Sequence, residues 1–308
     1  MPRKITHFSL LSLLFLALFM AIAQPSVAAQ AIDTERALFW KIEKDGQTRG
    51  YLLGTIHSED PRVLDFSEEF SVLLKANDIF AMEMVPDLPT LARLTEYMHY
   101  PEGQNLQSVI GIERFEALKT ALSGYSVPIE FINRMKPWAA MMTLSTPPPV
   151  TGFFMDLSLS LRASGSGLKV VGLETLEQQL SFLEDMPEDM QLSLLDQAIA
   201  DFDKVKQVHD EMVAIYLGGD LVKLQEVSYE QMQEAGVETR DYFIQSGIND
   251  RNMRMLETLE TQLQQGRVFA AVGALHLTGS AGLINLLRDQ GYTLEPLPIP
   301  LAVSAEQP

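Results

Sequence analysis

Two apolar runs, each ending in a histidine, dominate the hydrophobic pattern of this chain. Val268–Ala274, within RVFAAVGALHLTG, has no polar alternation, as expected of a strand covered on both faces in a parallel sheet. Gly273, Gly279 and Gly282 then flank His276 in a strand-to-helix turn, and a helix is expected over Ala281–Gln290, closed by Gly291. Tyr51–His57, YLLGTIH, repeats the scheme upstream: apolar strand, Gly, two residues, His. Ala37–Glu43 is a further strand, and Asp45-Gly46 between it and Tyr51 signals a hairpin. The pattern next predicts a helix over Ser67–Ala76 and a strand over Asp78–Met84. Strand, helix, strand at this spacing is a βαβ unit, whose crossover makes its strands parallel. Later strands are expected at Leu168–Leu173 and Gly291–Pro298, with a frayed tail over Pro298–Pro308.

Between these strands the period changes to that of helices. LPTLARLTEYM and IGIERFEALKTALSGY read as helices, MKPWAAMMTLSTPPP as a helix broken into a loop, and Ser164–Gly167 as a flexible joint. DMQLSLLDQAIADFDKVKQVHDEMVAIYLGG reads as one long amphipathic helix. The last long helix is Asn249–Gln265, with Met253, Leu256, Leu259 and Leu263 on its apolar face. The expected fold is therefore α/β: a mostly parallel central sheet from about 37–85, 168–175 and 267–298, with helical insertions at 86–167 and 176–266.

The N-terminus alters the compartment. Arg3 and Lys4, the apolar run Phe8–Ala23 and the small residues of SVAAQA at 26–31 follow the order of a secretory signal peptide. The apolar run is shorter than the roughly 20 residues a membrane span needs. The expectation is cleavage near residue 31, a domain over 32–308 in the periplasm or outside the cell, and no stable membrane span. The chain has no cysteine, so disulfides and thiolate ligands are excluded. A metal site here must use histidine and carboxylate. The formal charge is −18, about −20 once Arg3 and Lys4 are lost. Such a chain repels nucleic acid and anionic lipid.

His57, Glu83, Glu174 and His276 all fall where strands are expected to end, and ligands of α/β sheets bind outside the carboxyl ends of the strands. Strands lie about 4.8 Å apart and imidazole–metal bonds are about 2.0–2.1 Å. Two histidines on nearby strands and one glutamate, His57, His276 and Glu83, would then hold one divalent ion with positions left for water. Plainer readings stand beside this one: a hydrogen-bonded structural histidine, a paired acid at Glu83, a helix cap at Glu174 and a surface arginine at Arg251. Ser58 and Ser280 raise a Ser–His hydrolase, but no G-x-S-x-G elbow, Walker loop, G-x-G-x-x-G or H-E-x-x-H is present.

YLLGTIH with Glu83 after it, MKPW at 135–138, GLET at 172–175, the Arg-Asn pair 251–252 and VGALHLTG at 272–279 occur in the order of the TraB/GumN family, which the chain resembles from about Leu38 to Leu297. That family resembles the Tiki metalloproteases and, more distantly, erythromycin esterases and haem-binding ChaN lipoproteins. The resemblance implies an α/β core of two related halves. It also implies a site made of both Gly-x-x-His turns, the acid after the second strand and a helix arginine, here His57, His276, Glu83 and Arg251. The expected function is a periplasmic metal-dependent hydrolase, a peptidase first among the options. His57, Glu83 and His276 would hold Mn, Co or Zn, Arg251 would face a developing oxyanion and Glu174 would stand in reserve. The substrate would be a peptide or small molecule. The alternatives are a non-enzymatic binder of haem or peptide, and a metal-independent esterase using His57.

Overall fold

The computed structural model describes residues 36–125 and 127–302. All belong to one compact unit, Ile32–Pro308. The signal-peptide expectation lies outside the described residues. Six strands form one sheet: β1 (Phe39–Lys44), β2 (Gln47–Thr55), β3 (Ile79–Met82), β4 (Lys169–Gly172), β5 (Val268–Gly273) and β6 (Thr293–Leu297), in the order β4-β3-β5-β2-β1-β6. The pairs β2–β5, β5–β3 and β3–β4 are parallel, while β1 is antiparallel to both β2 and β6. The expected α/β class with a mostly parallel sheet and helical insertions is what the chain forms. Asp45 (φ 55°) and Gly46 (φ 70°) make the β1–β2 hairpin turn with both centres left-handed, the geometry that a two-residue hairpin favours.

The βαβ unit closes with a gap. β2 and β3 run parallel, with the helix Glu68–Lys75 between them in sequence, but β5 from the far end of the chain inserts between them. β5 is central because it can be buried on both faces: Val268 through Val272 are all buried. Phe269 packs at ring-centroid distances of 5.9 Å from Phe39, 6.0 Å from Tyr51 and 6.1 Å from Phe80. These aromatic pairs tie β1, β2, β5 and β3 across one face.

The two helical insertions share a second apolar cluster of their own, in which Phe115, Trp138 and Leu144 of the first meet Leu180, Leu183 and Leu195 of the second. This explains several departures from the sequence pattern. The long helix expected over residues 189–217 is broken into Glu188–Ala200 and Val205–Leu217 by a turn at Phe202–Lys204. Leu195 on the first piece belongs to the insertion core, whereas Val213 and Tyr216 on the second belong to the sheet core. A straight helix cannot serve both. Ser164–Gly167 is no joint; the helix Met155–Gly165 runs into it and turns at Gly167. On the helix Asp250–Gln265, Met253 is exposed and Met255 is buried in the place expected for it. Residues 298–302 are docked rather than frayed, since Ser67 N–H donates to Pro300 O and Ala302 N–H to Asp65 O.

Candidate functional site

The parallel registers bring the ends of four strands to one rim. Thr55 pairs with Gly273, Met82 with Ala271, and Gly172 with Met82. His57, His276, Glu83 and Glu174 each follow within three residues of those positions, so all four leave the sheet on the same side. Both Gly-x-x-His turns need their glycine for close approach. A Cβ on Gly54 would lie 2.8 Å from Leu277 Cδ1 and 3.1 Å from Ala274 Cα. One on Gly273 would lie 3.1 Å from Glu83 Oε1.

Glu83 is the hub. Its Oε1 accepts the Gly273 N–H at 2.7 Å and its Oε2 accepts Arg251 Nη2 at 2.6 Å, with Gln179 Nε2 at 3.4 Å. Burial pushes this carboxyl up, but His276, Arg251 and the Gly273 N–H outweigh it and hold the group at about 2. The isolated acid that would be costly in a buried strand is therefore paired. Arg251 also donates through Nε (2.9 Å) and Nη2 (2.7 Å) to Glu174 Oε2, and Arg254 approaches Glu174 Oε1 at 3.5 Å. Glu174 is wholly buried. It does not cap the next helix, because Thr175 does so in a capping box with Gln178. Arg251 is not a surface residue either; it lies buried in the first turn of its helix, between the two acids.

His276 is buried and reads as neutral. Burial pushes its pKa down to about 4, with Glu83 opposing the shift and Arg251 adding to it. Its Nδ1 lies 2.7 Å from Asn252 Oδ1. Asn252 Nδ2 donates to the carbonyls of His276 (3.2 Å) and Ala281 (2.8 Å), so Oδ1 must be the acceptor and Nδ1 carries the proton. Nε2, left with the lone pair, lies 3.8 Å from Glu83 Oε1. Two acceptors confront each other there, a donor set that suits a cation or a shared proton.

His57 sits differently. Its side chain is 62% exposed, its Nδ1 lies 3.5 Å from Asp156 Oδ2, and its ring stacks on Phe154 with centroids 4.1 Å apart. Asp156 is held by Thr55 Oγ1 at 2.9 Å. Among the described residues no three His, Asp or Glu side chains stand close enough to form a ready-made metal cluster. The fit to a divalent ion is thus carried by His276 Nε2 and Glu83 Oε1, which have the right tautomer and charge, while His57 arrives on the neighbouring strand with its ring engaged elsewhere.

Four residues of this constellation carried no role in the sequence reading: Asp156, Phe154, Asn252 and Gln179. Asn252 had a signal, its place beside Arg251 in the quoted pair. Asp156 and Phe154 had none, because the helix they open was itself missed. His99 is buried edge-on against Phe131 and His209 lies near Asp210, both outside this constellation. A surface depression of about 600 Å³ lies instead at the opposite ends of the strands, lined by Arg49, Asp78 and Arg267 among others. It contains no histidine; the titratable groups converge at the other rim.

The fold and the rim define an α/β protein that carries two Gly-x-x-His turns at one edge of its sheet. It belongs to the TraB/PrgY/gumN family, whose pattern it matches over residues 38–296. It is 24% identical to Metalloprotease TIKI2 of Danio rerio over 80% of this chain and 58% of that protein. It is also 24% identical to Metalloprotease TIKI1 of Danio rerio over 85% of this chain and 63% of that protein. For Metalloprotease TIKI2 of Xenopus tropicalis the identity is 23%, over 84% of this chain and 60% of that protein. The chain thus spans about three fifths of the length of these curated relatives. No solved structure matches it. No helix among the described residues is long and apolar enough to cross a membrane.

Proposed function

We propose that the protein is a metal-dependent hydrolase, a peptidase by preference, acting in the periplasm after removal of residues 1–31. The observation that carries this reading is the neutral His276, whose unprotonated Nε2 lies 3.8 Å from the anionic Glu83. The relatives' printed name, metalloprotease, agrees with it. His276, Glu83 and His57 would hold the ion, with Mn, Co and Zn as candidates. A divalent ion bound there supplies Lewis acidity and a water with a pKa lowered toward about 7.

The chain's own groups do the rest. Asn252 keeps the His276 proton on Nδ1, so that Nε2 stays available. Gly273 N–H and Arg251 fix the two oxygens of Glu83 and keep it ionised, ready to bind the ion. We assign Arg251 the positioning of Glu83, since its Nε and Nη2 are directed at Glu83 and Glu174 rather than outward. Glu174 balances that guanidinium from its buried side.

The test uses the purified mature protein: metal content, and cleavage of unstructured peptides with Mn, Co or Zn, for wild type, His57→Ala and His276→Ala. Loss of bound metal and of cleavage in both variants supports the reading; unchanged metal content in both removes the metal site. One observation favours a second reading. His57 and Asp156 form an exposed His–carboxylate pair, the arrangement of a general base for ester hydrolysis without a metal. Esterase activity that survives exhaustive chelation and vanishes in His57→Ala selects that reading.

A further inference from the structure

The reading above leaves one carboxylate unused. Glu59 lies two residues beyond His57 and closes on the irregular segment that precedes the helix Met155–Gly165. It accepts the backbone N–H of Val150, the N–H of Thr151 at 2.9 Å, the Thr151 hydroxyl at 2.6 Å and the N–H of Gly152 at 2.9 Å. One side chain thus takes four donors from three consecutive residues, on an exposed stretch with no helix or strand of its own. Charge-assisted bonds to a carboxylate are the stronger kind, and four of them order a segment that would otherwise retain most of its conformational freedom.

What this segment delivers is the setting of His57. The ring is 62% exposed, so the sheet core does not hold it. Its restraints are the Phe154 ring at 4.1 Å with an interplanar angle of 13°, and Asp156 at 3.5 Å. Both come from the first residues of one helix, and the chain enters that helix directly from the residues that Glu59 clasps. Met155 N–H donates to Ser58 O at 3.0 Å, which fastens the same helix start to the strand side of the turn.

We propose that Glu59 is a positioning residue of the site: by clasping Val150–Gly152 it holds Phe154 and Asp156 against His57 and so fixes the direction in which that imidazole points. The inference rests on His57 belonging to the site, but its test does not depend on the reaction. Histidine ring protons are recorded by NMR at one fixed pH for wild type, Glu59→Ala, Glu59→Gln and Phe154→Ala, with His57→Ala assigning the signal. Stacking on Phe154 places the wild-type His57 ring protons upfield. The expected result is that Glu59→Ala loses this shift and approaches Phe154→Ala, that Glu59→Gln lies between, and that the buried His276 signal stays in place as the marker of an intact fold. In the same variants kcat/KM toward the cleaved peptide falls on the order of 10–100-fold, the scale expected when a reacting group is misplaced by about an ångström. His57 signals in Glu59→Ala that coincide with wild type overturn the proposal. A wild-type protein that cleaves no peptide sinks the peptidase reading instead, and the ring shifts still decide the role of Glu59.

Discussion

Replacing Arg251 by methionine is the sharpest perturbation that this geometry offers. The guanidinium stands between two acids, with Nη2 2.6 Å from Glu83 Oε2 and 2.7 Å from Glu174 Oε2. Methionine fills similar volume and removes every donor, so both carboxylates are left buried with one counter-charge between them, Arg254 at 3.5 Å from Glu174. Removing one partner of a buried ion pair costs about 3–5 kcal/mol, because the remaining charge is uncompensated. Here two charges share the vacancy, and we expect the upper part of that range at pH 7. The sign of the pH dependence follows. Without Arg251 burial dominates at Glu83, and its folded-state pKa rises above its unfolded value. Such groups favour the folded state at low pH and lose that advantage as pH rises through the raised pKa. The deficit of the variant relative to wild type should therefore narrow from pH 7 to pH 5. Urea unfolding followed by circular dichroism at both values measures it, and Arg251→Met/Glu174→Gln should recover part of the loss. A deficit under about 1 kcal/mol, within the range of exposed pairs, or one equally large at both pH values, would refute the buried triad as the element that keeps Glu83 charged.

Three further outcomes follow from the same rim. The His276 pKa, brought from 6.5 to about 4 by burial, means that the unfolded chain binds the extra proton first as pH falls. Stability is then complete above about 6.5 and is lost toward 4 by on the order of 3 kcal/mol; Glu83, held at about 2, extends the loss below 4.5. Melting temperature against pH should flatten between 6.5 and 4 in His276→Gln, and an unchanged slope counts against the neutral buried imidazole. Gly273→Ala sets a Cβ 3.1 Å from Glu83 Oε1 and 3.6 Å from His276 Cδ2. That should destabilise by about 1–3 kcal/mol, as overpacking does, and should lower peptide cleavage more than Gly165→Ala, where the added atom meets nothing within 4 Å. Asn252→Ala removes the acceptor that keeps the His276 proton on Nδ1, so the proton shifts to Nε2 and a buried ring nitrogen is left unpaired at a cost of about 1–3 kcal/mol; metal affinity should weaken by about 10–100-fold, as loss of a ligand's hydrogen-bond partner does. Nitrogen NMR of the imidazole reads the tautomer directly, and a ring still protonated on Nδ1 in the variant would remove Asn252 from the argument.

The parts of this molecule that were legible in its sequence are those with short-range causes. Continuous apolar runs gave the parallel strands because burial on both faces tolerates no alternation. The Asp45-Gly46 turn was legible because only residues tolerant of positive φ serve there. Glu83 and both histidines were legible because a polar group placed just past a buried strand must emerge at its end. The insertion of β5 between β2 and β3 was not, since strand order depends on which faces can be buried together once the chain is complete. The missing pieces of the site share that origin. Asp156, Phe154 and Asn252 sit on helices, and their nearness to the rim is decided by how those helices pack, which no local period encodes. The broken helix at Phe202–Lys204 is the same effect on a larger scale: its two halves carry one amphipathic pattern but serve two cores. A strand-end rule therefore finds the groups that gather at the rim and misses those that orient them. In this chain the two kinds alternate around the rim, with Asn252 setting His276, Arg251 setting Glu83, and Asp156 with Phe154 setting His57. Each imidazole or carboxylate fixed by the sheet acquires its direction from a helix, so the site takes shape only when sheet and insertions have packed against each other.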